Sequence, residues 1–282
     1  DTTSDGTKEH VSAKAVQQEL PSSAPTSFED VFDWLVSPVT LQDGKMFQIV
    51  GELSHGTNAF TQGLTFADGV LYESTGGRGS STVRILNPDD GSLVQQIPVD
   101  DQYFAEGMTF YDGNLVQLTW TSAIGFVYDA TNLGATPVQF SYQTSRSNQG
   151  WGITYYEERD EFIVTDGSGN LVFWDAGCWR TGVCSVKRTV GVTRLDGSEA
   201  RNLNEIEFWR GRVLSNVWTT NEILVINPET GQVEKEYDFT ELWTQRNAGA
   251  GVLNGISTSA HRDILYFTGK NWAKMFKVRM WA

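Results

Sequence analysis

Short apolar segments alternate with turn signals along most of the chain. From residue 46 onward, DG, NP and TG turns separate strand-like runs, which is the pattern of an all-β protein. Five of these runs begin alike: QGLTF at 62, EGMTF at 106, WGITY at 151, NEIEF at 204 and NGIST at 254. They recur every 44 to 53 residues, and a unit of about 45 residues with four short strands is typical of a β-propeller blade.

The last of the five repeats is too short to form four strands. Only 27 residues follow Gly255, so one strand must come from elsewhere. The segment MFQIVGEL, residues 46–53, precedes the first repeat and has no partner there. We expect it to pair with the strand near Lys274–Val278, because closing the ring removes free sheet edges. The sequence therefore predicts a five-bladed β-propeller with four-stranded blades. A β-sandwich is the alternative, but it does not account for five matching strand starts.

The first 45 residues have a different pattern. Residues 1–26 are rich in Ser, Thr, Gln, Glu and Lys without apolar periodicity, which predicts a mobile tail. In SFEDVFDWLVSP, residues 27–38, apolar side chains recur at helical spacing before a proline, so we predict one short amphipathic helix packed on the outside of the main domain. We divide the chain into an N-terminal segment, 1–45, and a propeller domain, 46–282.

Equivalent positions in the five repeats should form rings about the propeller axis. Because a first strand starts where its antiparallel neighbour ends, the residues at these two positions should meet at the same rim. The residues at the start of the first strands are Gln62, Glu106, Trp151, Asn204 and Asn254. The residues at the end of the second strands are Gly76, Trp120, Gly167, Trp218 and Lys270.

Glu106 is the only acid in these two rings, and Lys270 is the only base. Apolar walls should raise the pKa of Glu106, while the lysine opposes that shift, and a carboxyl group tuned toward neutrality can both take and give a proton. The amides and the lysine can stabilise a developing oxyanion, and the tryptophan faces can hold an aliphatic stem or a cation. From these residues, catalysis, ligand binding and a structural role stay open, including capping of backbone N–H groups by Glu106.

Composition and charge narrow the class of protein. Charged residues make up 20% of the chain and aromatic residues 12%, which is typical of a globular domain. The net charge of −14 argues against a nucleic-acid or membrane partner, since both attract basic patches. No apolar run approaches the roughly 20 residues that span a bilayer. The chain begins with Asp and shows no signal peptide, so we expect a processed or trimmed form.

The two cysteines, Cys178 and Cys184, lie close together in GCWRTGVCSV. They could form a redox or metal pair, or a local disulfide at a hairpin tip. A zinc site needs about four ligands, but the histidines His10, His55 and His261 are scattered, and the cysteine spacing differs from CxxC. A disulfide is favoured, which fits a protein that is secreted or resides in the secretory lumen, although no N-x-S/T glycosylation signal occurs.

Seven motifs, in order through all five repeats, resemble one known family. They are FTQGLTF at 60, LYESTG at 71, FAEGMTF at 104, QGWGITY at 149, LNEIEF at 203, VLNGI at 252 and TGKNW at 268. The family is that of the plant-type glutaminyl cyclases, the zinc-independent glutaminyl-peptide cyclotransferases of plants and some microbes. Its members are five-bladed propellers that convert the N-terminal glutamine of peptides to pyroglutamate with release of ammonia. The resemblance runs from about residue 46 to 280 and leaves residues 1–45 outside.

The resemblance implies roles for the ring residues. Glu106 takes the position of the catalytic glutamate, which moves a proton from the attacking α-amine to the leaving ammonia. Lys270 and Asn204, together with Gln62, polarise or orient the amide. The substrate-binding residues that the resemblance implies are Phe60, Gln62, Phe104, Trp120, Trp151 and Trp218.

The resemblance also implies partners and cofactors. The expected partners are N-terminal glutaminyl peptides or proteins, and the expected state is a monomer. No cofactor or catalytic metal is expected, while a structural divalent ion is compatible with the sequence. Two other classes compete with this interpretation: a peptide- or ligand-binding propeller without chemistry, and a calcium-dependent lactonase-type propeller. The lactonase type needs several axial carboxylates, and the two rings contain one.

Overall fold

The structure is a computed structural model that describes residues 47–280. Within this range the protein is all-β, and its strands form five sheets. The strands, in chain order, are β1 (Phe47–Ser54), β2 (Thr61–Ala67), β3 (Val70–Thr75), β4 (Thr82–Leu86), β5 (Leu93–Pro98), β6 (Ala105–Tyr111), β7 (Asn114–Thr119), β8 (Ile124–Asp129), β9 (Val138–Tyr142), β10 (Ile153–Tyr156), β11 (Glu161–Val164), β12 (Asn170–Asp175), β13 (Val183–Cys184), β14 (Arg188–Gly191), β15 (Leu203–Trp209), β16 (Arg212–Val217), β17 (Glu222–Ile226), β18 (Val233–Asp238), β19 (Leu253–Ser257), β20 (Ile264–Gly269) and β21 (Lys274–Met280).

Each sheet is one blade of a five-bladed β-propeller, as the sequence predicts. The strand orders are β2-β3-β4-β5, β6-β7-β8-β9, β10-β11-β12-β14, β15-β16-β17-β18 and β19-β20-β21-β1. The first strands of the blades contact one another in a cycle, from β2 through β6, β10, β15 and β19 back to β2. The first strands therefore line the axis, and their starts share one rim.

The closing strand forms as predicted. β1 pairs antiparallel with β21 in a register that joins Phe47 to Met280 and Ser54 to Lys274. Phe47 also packs edge-on against Phe239, with ring centroids 4.5 Å apart. The prediction placed the start of this strand at Met46, which lies outside the described residues. The fifth blade is thus completed by the N-terminal side of the chain, and the ring closes without an unpaired inner edge.

Two short helices lie within the described residues. They are α1 (Thr240–Thr244) and a 3₁₀ helix, Cys178–Thr181. No helix in residues 47–280 is long and apolar enough to cross a membrane. The predicted tail at 1–26, the predicted helix within residues 27–38 and the proposed boundary after residue 45 lie outside the described residues.

Glycine at the second position of the repeated motif lets neighbouring blades approach at the axis. A Cβ atom added at Gly63 would lie 2.4 Å from Met108 N, and one at Gly107 would lie 2.6 Å from Trp151 O. At Gly152 the same atom would lie 2.3 Å from Asn204 O. Each of these first strands packs on the backbone of the next one, and a side chain does not fit at these distances. The glycines in QG, EG and WG are therefore needed.

The fourth repeat replaces this glycine with Glu205 and adds a second acid, Glu207. The carboxylate of Glu205 accepts hydrogen bonds from Leu64 N at 3.3 Å and from Ile256 N at 2.8 Å, and so links the fourth blade to the first and fifth. Glu207 accepts a hydrogen bond from Thr258 N at 2.9 Å. Both acids are buried. Their backbone partners make them structural links along the axis.

Cys178 and Cys184 form a disulfide bond, which confirms the prediction. The loop that contains them leaves the third blade between β12 and β14. The short strand β13 in this loop pairs in parallel with β9 of the second blade, with Cys184 opposite Tyr142. An insertion in the third blade therefore adds a strand to the second.

Apolar side chains of neighbouring blades fill the space between the sheets. Leu118 of β7 packs in one cluster with Val164 of β11 and Val172 of β12, and all three are fully buried. Each buried side chain of this size contributes about 1.5–3 kcal/mol to stability through its removal from water. This packing holds the blades at fixed angles, so the rim residues have fixed relative positions.

Candidate active site

A cavity of about 430 Å³ opens at the rim where the first strands begin. All nine side chains that the sequence assigns to catalysis or substrate binding lie around it. The full lining consists of Phe60, Gln62, Phe104, Glu106, Trp120, Arg146, Gln149, Trp151, Asn202, Asn204, Trp218 and Lys270. Of the other ring positions, Gly76, Gly167 and Asn254 are not part of the lining. A volume of this size is suited to a small ligand or to one residue of a larger one.

Local irregularity in the first strands positions four of the five first-ring residues. The register between the first and second strands shifts at Gln62 in the first blade and at Glu106 in the second. It shifts again at Asn204 and at Asn254. A bulge in an antiparallel pair bends the strand and changes the direction of a side chain. The repeated bulge therefore accounts for a ring of polar side chains at the end of otherwise apolar strands.

Glu106 is 5% exposed and is held by a chain of amides. Its Oε1 accepts a hydrogen bond from Gln62 Nε2 at 2.8 Å. Gln62 Oε1 in turn accepts one from Asn254 Nδ2 at 3.1 Å, and the same Nδ2 donates to Thr61 O at 3.0 Å. This chain fixes the orientation of the Gln62 amide, so that its N–H group faces the carboxylate. Oε2 of Glu106 has no hydrogen-bond partner within residues 47–280.

Glu106 and Lys270 shift each other's proton affinity. Burial raises the pKa of Glu106 well above its usual value, although the charge of Lys270 and the hydrogen bond from Gln62 act in the opposite direction. Burial lowers the pKa of Lys270, and the charge of Glu106 opposes that change. Both shifts disfavour the charged form, and such shifted groups are typical of sites that exchange protons.

Lys270 is 7% exposed, and its Nζ lies 4.8 Å from the centroid of the Phe60 ring. Among residues 47–280 the ammonium group has no carboxylate within 4.0 Å and no hydrogen-bond acceptor. A direct ion pair with Glu106 is therefore not formed. The Nζ donors are free to bind a ligand in the cavity.

Aromatic side chains form two walls of the cavity. Phe104 packs edge-on between Phe60 and Trp120, with ring centroids 6.1 and 5.8 Å away. On the other wall, Trp151 and Trp218 pack edge-on with centroids 5.6 Å apart. Trp120 and Trp218 are 39% and 41% exposed. They therefore form the mouth of the cavity, where large apolar surface in contact with water is typical of a binding site.

Asn204 has an unsatisfied polar atom at the cavity. Its Oδ1 is buried and has no hydrogen-bond partner among the described residues. A buried acceptor without a partner costs about 1–3 kcal/mol, and such groups in native proteins call for a specific explanation. An acceptor beside Glu106 would be satisfied by an N–H group of a bound ligand.

Three lining residues, Arg146, Gln149 and Asn202, were not identified from the sequence. Gln149 Oε1 accepts hydrogen bonds from the indole Nε1 atoms of Trp120 and Trp151, at 3.0 and 3.1 Å, and so ties the two aromatic walls together. Asn202 has a positive φ of 58°, a conformation that asparagine adopts more readily than most residues.

The repeat itself contains a signal for two of these residues. Gln149 and Asn202 both stand two positions before the first-ring residue of their blade, where the first two blades have Phe60 and Phe104. Trp218 N donates to Asn202 O as Trp120 N donates to Phe104 O, both at 2.9 Å. A third ring drawn at this position would have included both residues. Arg146 precedes the repeat, and no such pattern points to it.

Within residues 47–280 no group of three or more His, Cys, Asp and Glu side chains is placed to hold a metal ion. Two other buried acids of the first strands, Glu205 and Glu207, accept hydrogen bonds from backbone N–H groups. The lining of the cavity consists of one carboxyl group, one lysine, one arginine, amides and aromatic rings.

Comparisons with known proteins agree with this geometry. The family model described as glutamine cyclotransferase matches residues 34–280. A glutaminyl-peptide cyclotransferase of Arabidopsis thaliana is 32% identical over 238 residues, which cover 83% of this chain and 71% of the relative. The crystal structure of glutaminyl cyclase from Myxococcus xanthus is similar with a TM-score of 0.72 at 30% identity, covering 83% of this chain and 96% of that one. The family match begins at residue 34, so it includes part of the segment that the sequence resemblance left outside.

Proposed function

The chain belongs to the glutamine cyclotransferase family, and from this premise we propose that it converts the N-terminal glutamine of peptides or proteins to pyroglutamate. In this reaction the α-amine nitrogen bonds to the γ-amide carbon of the same residue, the bond from that carbon to the amide nitrogen breaks, and ammonia leaves. The observation that carries the proposal is the placement of Glu106, a buried carboxyl group with a raised pKa, in a cavity of about 430 Å³ walled by aromatic rings.

Glu106 moves the proton in the proposed mechanism. As a carboxylate it accepts a proton from the α-amine when the nitrogen attacks, and as a carboxylic acid it returns that proton to the departing amide nitrogen. A raised pKa supports both steps, because efficient acid–base catalysis needs a group whose pKa lies near the working pH. The hydrogen bond from Gln62 at 2.8 Å keeps Oε1 in place and leaves Oε2 to exchange the proton.

Lys270 and Asn204 bind the reacting groups. The Nζ donors of Lys270, which have no protein acceptor within the described residues, stabilise the negative charge that develops on the γ-carbonyl oxygen. The buried Oδ1 of Asn204 accepts a hydrogen bond from an N–H group of the substrate. Trp120, Trp151 and Trp218 enclose the glutamine stem and favour the folded conformer in which amine and amide meet, which lowers the entropic part of the barrier.

The proposed reaction is intramolecular acyl transfer, and every group it requires is present in the chain. We therefore propose that the protein needs no cofactor and no catalytic zinc. Dialysis against a strong chelator, followed by activity measurement, is the matching test. Retained turnover supports this part of the proposal, and a loss that zinc restores refutes it.

Ammonia release from Gln-Gln tests the function directly. We expect ammonia and a cyclic product that is lighter than the substrate by one molecule of ammonia, with no product from Asn-Gln or from N-acetylated Gln-Gln. A propeller that only binds peptides would release no ammonia from any of these substrates. That result would refute the proposal and favour the binding alternative.

A further inference from the structure

A second, polar groove adjoins the cavity. It has a volume of about 610 Å³ and is lined by residues 167–170, 191–193 and 199–202, together with Arg146. Arg146 and Asn202 line both the groove and the cavity, so the two spaces are continuous at these residues. Cyclisation engages only the first residue of a substrate, and nothing in the mechanism above uses the groove.

The groove carries an excess of positive charge. Its charged side chains are Arg146, Arg201 and Glu199, which give it a net charge of about +1, whereas the chain as a whole has a net charge of −14. Neither arginine has a carboxylate within 4.0 Å among the described residues. Both guanidinium groups are therefore available to an external anion.

Arg146 is held in place by hydrogen bonds that leave its charge unpaired. Its Nη1 donates to Gly167 O at 2.8 Å, and its backbone N–H donates to Asp166 Oδ2 at 2.7 Å. The carboxylate of Asp166 is buried and also accepts hydrogen bonds from Ser145 and Ser168, so it supports the loop instead of pairing with the guanidinium. A fixed, unpaired guanidinium at a cavity mouth is suited to bidentate binding of a carboxylate.

We propose that the groove binds the residues that follow the N-terminal glutamine and favours an acidic side chain at the second position of the substrate. This inference rests on the proposed cyclotransferase function. An extended peptide advances about 3.3–3.6 Å per residue, so a chain that leaves the cavity past Arg146 enters the groove with its second and third residues. Gly191 leaves the groove wall free of a side chain at one position, where an added Cβ atom would meet nothing closer than Asn170 Oδ1 at 3.7 Å and the peptide backbone can approach.

The test compares three C-terminally amidated peptides, Gln-Glu-Ala-Ala, Gln-Ala-Ala-Ala and Gln-Lys-Ala-Ala, with glutaminamide as the short substrate. For the wild-type protein we expect kcat/KM to be about fivefold higher for the glutamate peptide than for the alanine peptide. The difference should appear in KM, because the contact forms before the reaction. It should shrink at about 1 M salt, where exposed charges are screened. The lysine peptide should be the poorest of the three.

Two matched variants assign the preference to the groove. In Arg146→Gln, which removes the guanidinium held at the cavity mouth, the ratio of kcat/KM between the glutamate and alanine peptides should fall to near one. Arg262→Gln removes the same charge in the loop between β19 and β20, at the other end of the propeller, where it lines a different cleft. In that variant the ratio should stay at its wild-type value.

The outcomes separate this inference from the proposed function. If wild-type protein cyclises glutaminamide but treats the three peptides alike, or prefers the lysine peptide, the groove inference is overturned and the function stands. A preference that persists unchanged in Arg146→Gln also overturns it. If no glutaminyl substrate is cyclised, both proposals are refuted.

Discussion

Two buried acids on the axis, Glu106 and Glu207, allow the catalytic role of Glu106 to be tested with an internal control. Both carboxyl groups are buried, and burial raises the pKa of each. Glu106 lines the cavity, whereas Glu207 lies farther along β15 and lines a separate cleft. We compare Glu106→Gln with Glu207→Gln, because glutamine keeps the size and hydrogen bonding of each side chain but cannot exchange a proton.

The structure sets the expected magnitudes. For Glu106→Gln, loss of the acid–base group should reduce turnover by about 10²- to 10⁴-fold, which corresponds to about 3–5 kcal/mol of activation free energy. Substrate binding should survive, because the aromatic walls are unchanged. Glu207→Gln should leave turnover near the wild-type value.

Glu207→Gln should change stability although it leaves turnover unchanged. Burial raises the pKa of Glu207 from its ordinary value of 4.5 to about 7. The folded state therefore binds a proton that the unfolded state releases, and wild-type stability falls as the pH rises between these values. Above pH 7 the buried carboxylate of Glu207 therefore lowers the free energy of unfolding by about 3 kcal/mol relative to its value at low pH. Glu207→Gln removes this cost, so its free energy of unfolding should exceed that of wild-type protein by up to about 3 kcal/mol at pH 8, and most of the gain should be lost at pH 5.

Ammonia release and thermal unfolding, measured on the same preparations at pH 5 and pH 8, test both expectations. A gain of about 3 kcal/mol would raise the melting temperature by roughly 6–12 °C in a domain of this size. Glu106→Gln should be at least as stable as wild-type protein. If Glu106 instead caps backbone groups, its variant should lose stability and keep most of its turnover. Near-normal turnover in Glu106→Gln, or an equal loss in Glu207→Gln, would refute our assignment.

Three further predictions concern Lys270, the ring closure and the disulfide. Lys270→Met should lower the rate of cyclisation without lowering thermal stability. It should also move the acidic limb of the pH–rate profile to higher pH, because it removes the charge that lowers the pKa of Glu106. Full activity would remove Lys270 from the mechanism. His55, whose ring nitrogens contact Trp272 O at 2.7 Å and Glu73 Oε1 at 2.8 Å, ties the closing strand to the first and fifth blades. Burial lowers its pKa, but the charge and hydrogen bond of Glu73 and the hydrogen bond to Trp272 O together outweigh burial, so the net shift is upward. His55→Ala should therefore lower the free energy of unfolding by about 3–5 kcal/mol. The stability that His55 provides is complete below its pKa in the unfolded state and should be lost as the pH rises through its raised pKa in the folded state. Denaturant unfolding across pH 6–9 measures both effects, and a variant as stable as wild-type protein would contradict them. Reduction of the disulfide should cost about 2 kcal/mol, and mass analysis after alkylation without reductant should show no labelled thiol.

The sequence predicts the scaffold well because the repeat encodes it directly. The five strand starts, the truncated last repeat and the unpaired segment at residues 46–53 lead to the closed ring without further information. The positions of Glu106 and Lys270 at one rim follow from the same repeat. Sequence reasoning missed Arg146, which lies in a loop outside the repeat. It could not show the pairing of β13 with β9, because that pairing depends on contacts between blades. The distance between Lys270 and Glu106 was equally out of reach, because the distance between two rim side chains depends on bulges and rotamers.

The active site arises where a nearly symmetric scaffold carries unlike side chains at equivalent positions. The bulge that turns Glu106 toward the cavity also occurs at Gln62, Asn204 and Asn254, so the backbone would present an acid equally well in those blades. A neighbouring acid on the axis raises the pKa of a buried carboxyl group, as Glu207 adds to the effect of burial on Glu205. A second acid beside Glu106 would oppose its ionised form in the same way and leave less carboxylate to accept the substrate proton. The amide of Gln62 instead donates to the carboxylate. The first ring therefore keeps one proton acceptor, which is the number that an intramolecular cyclisation requires.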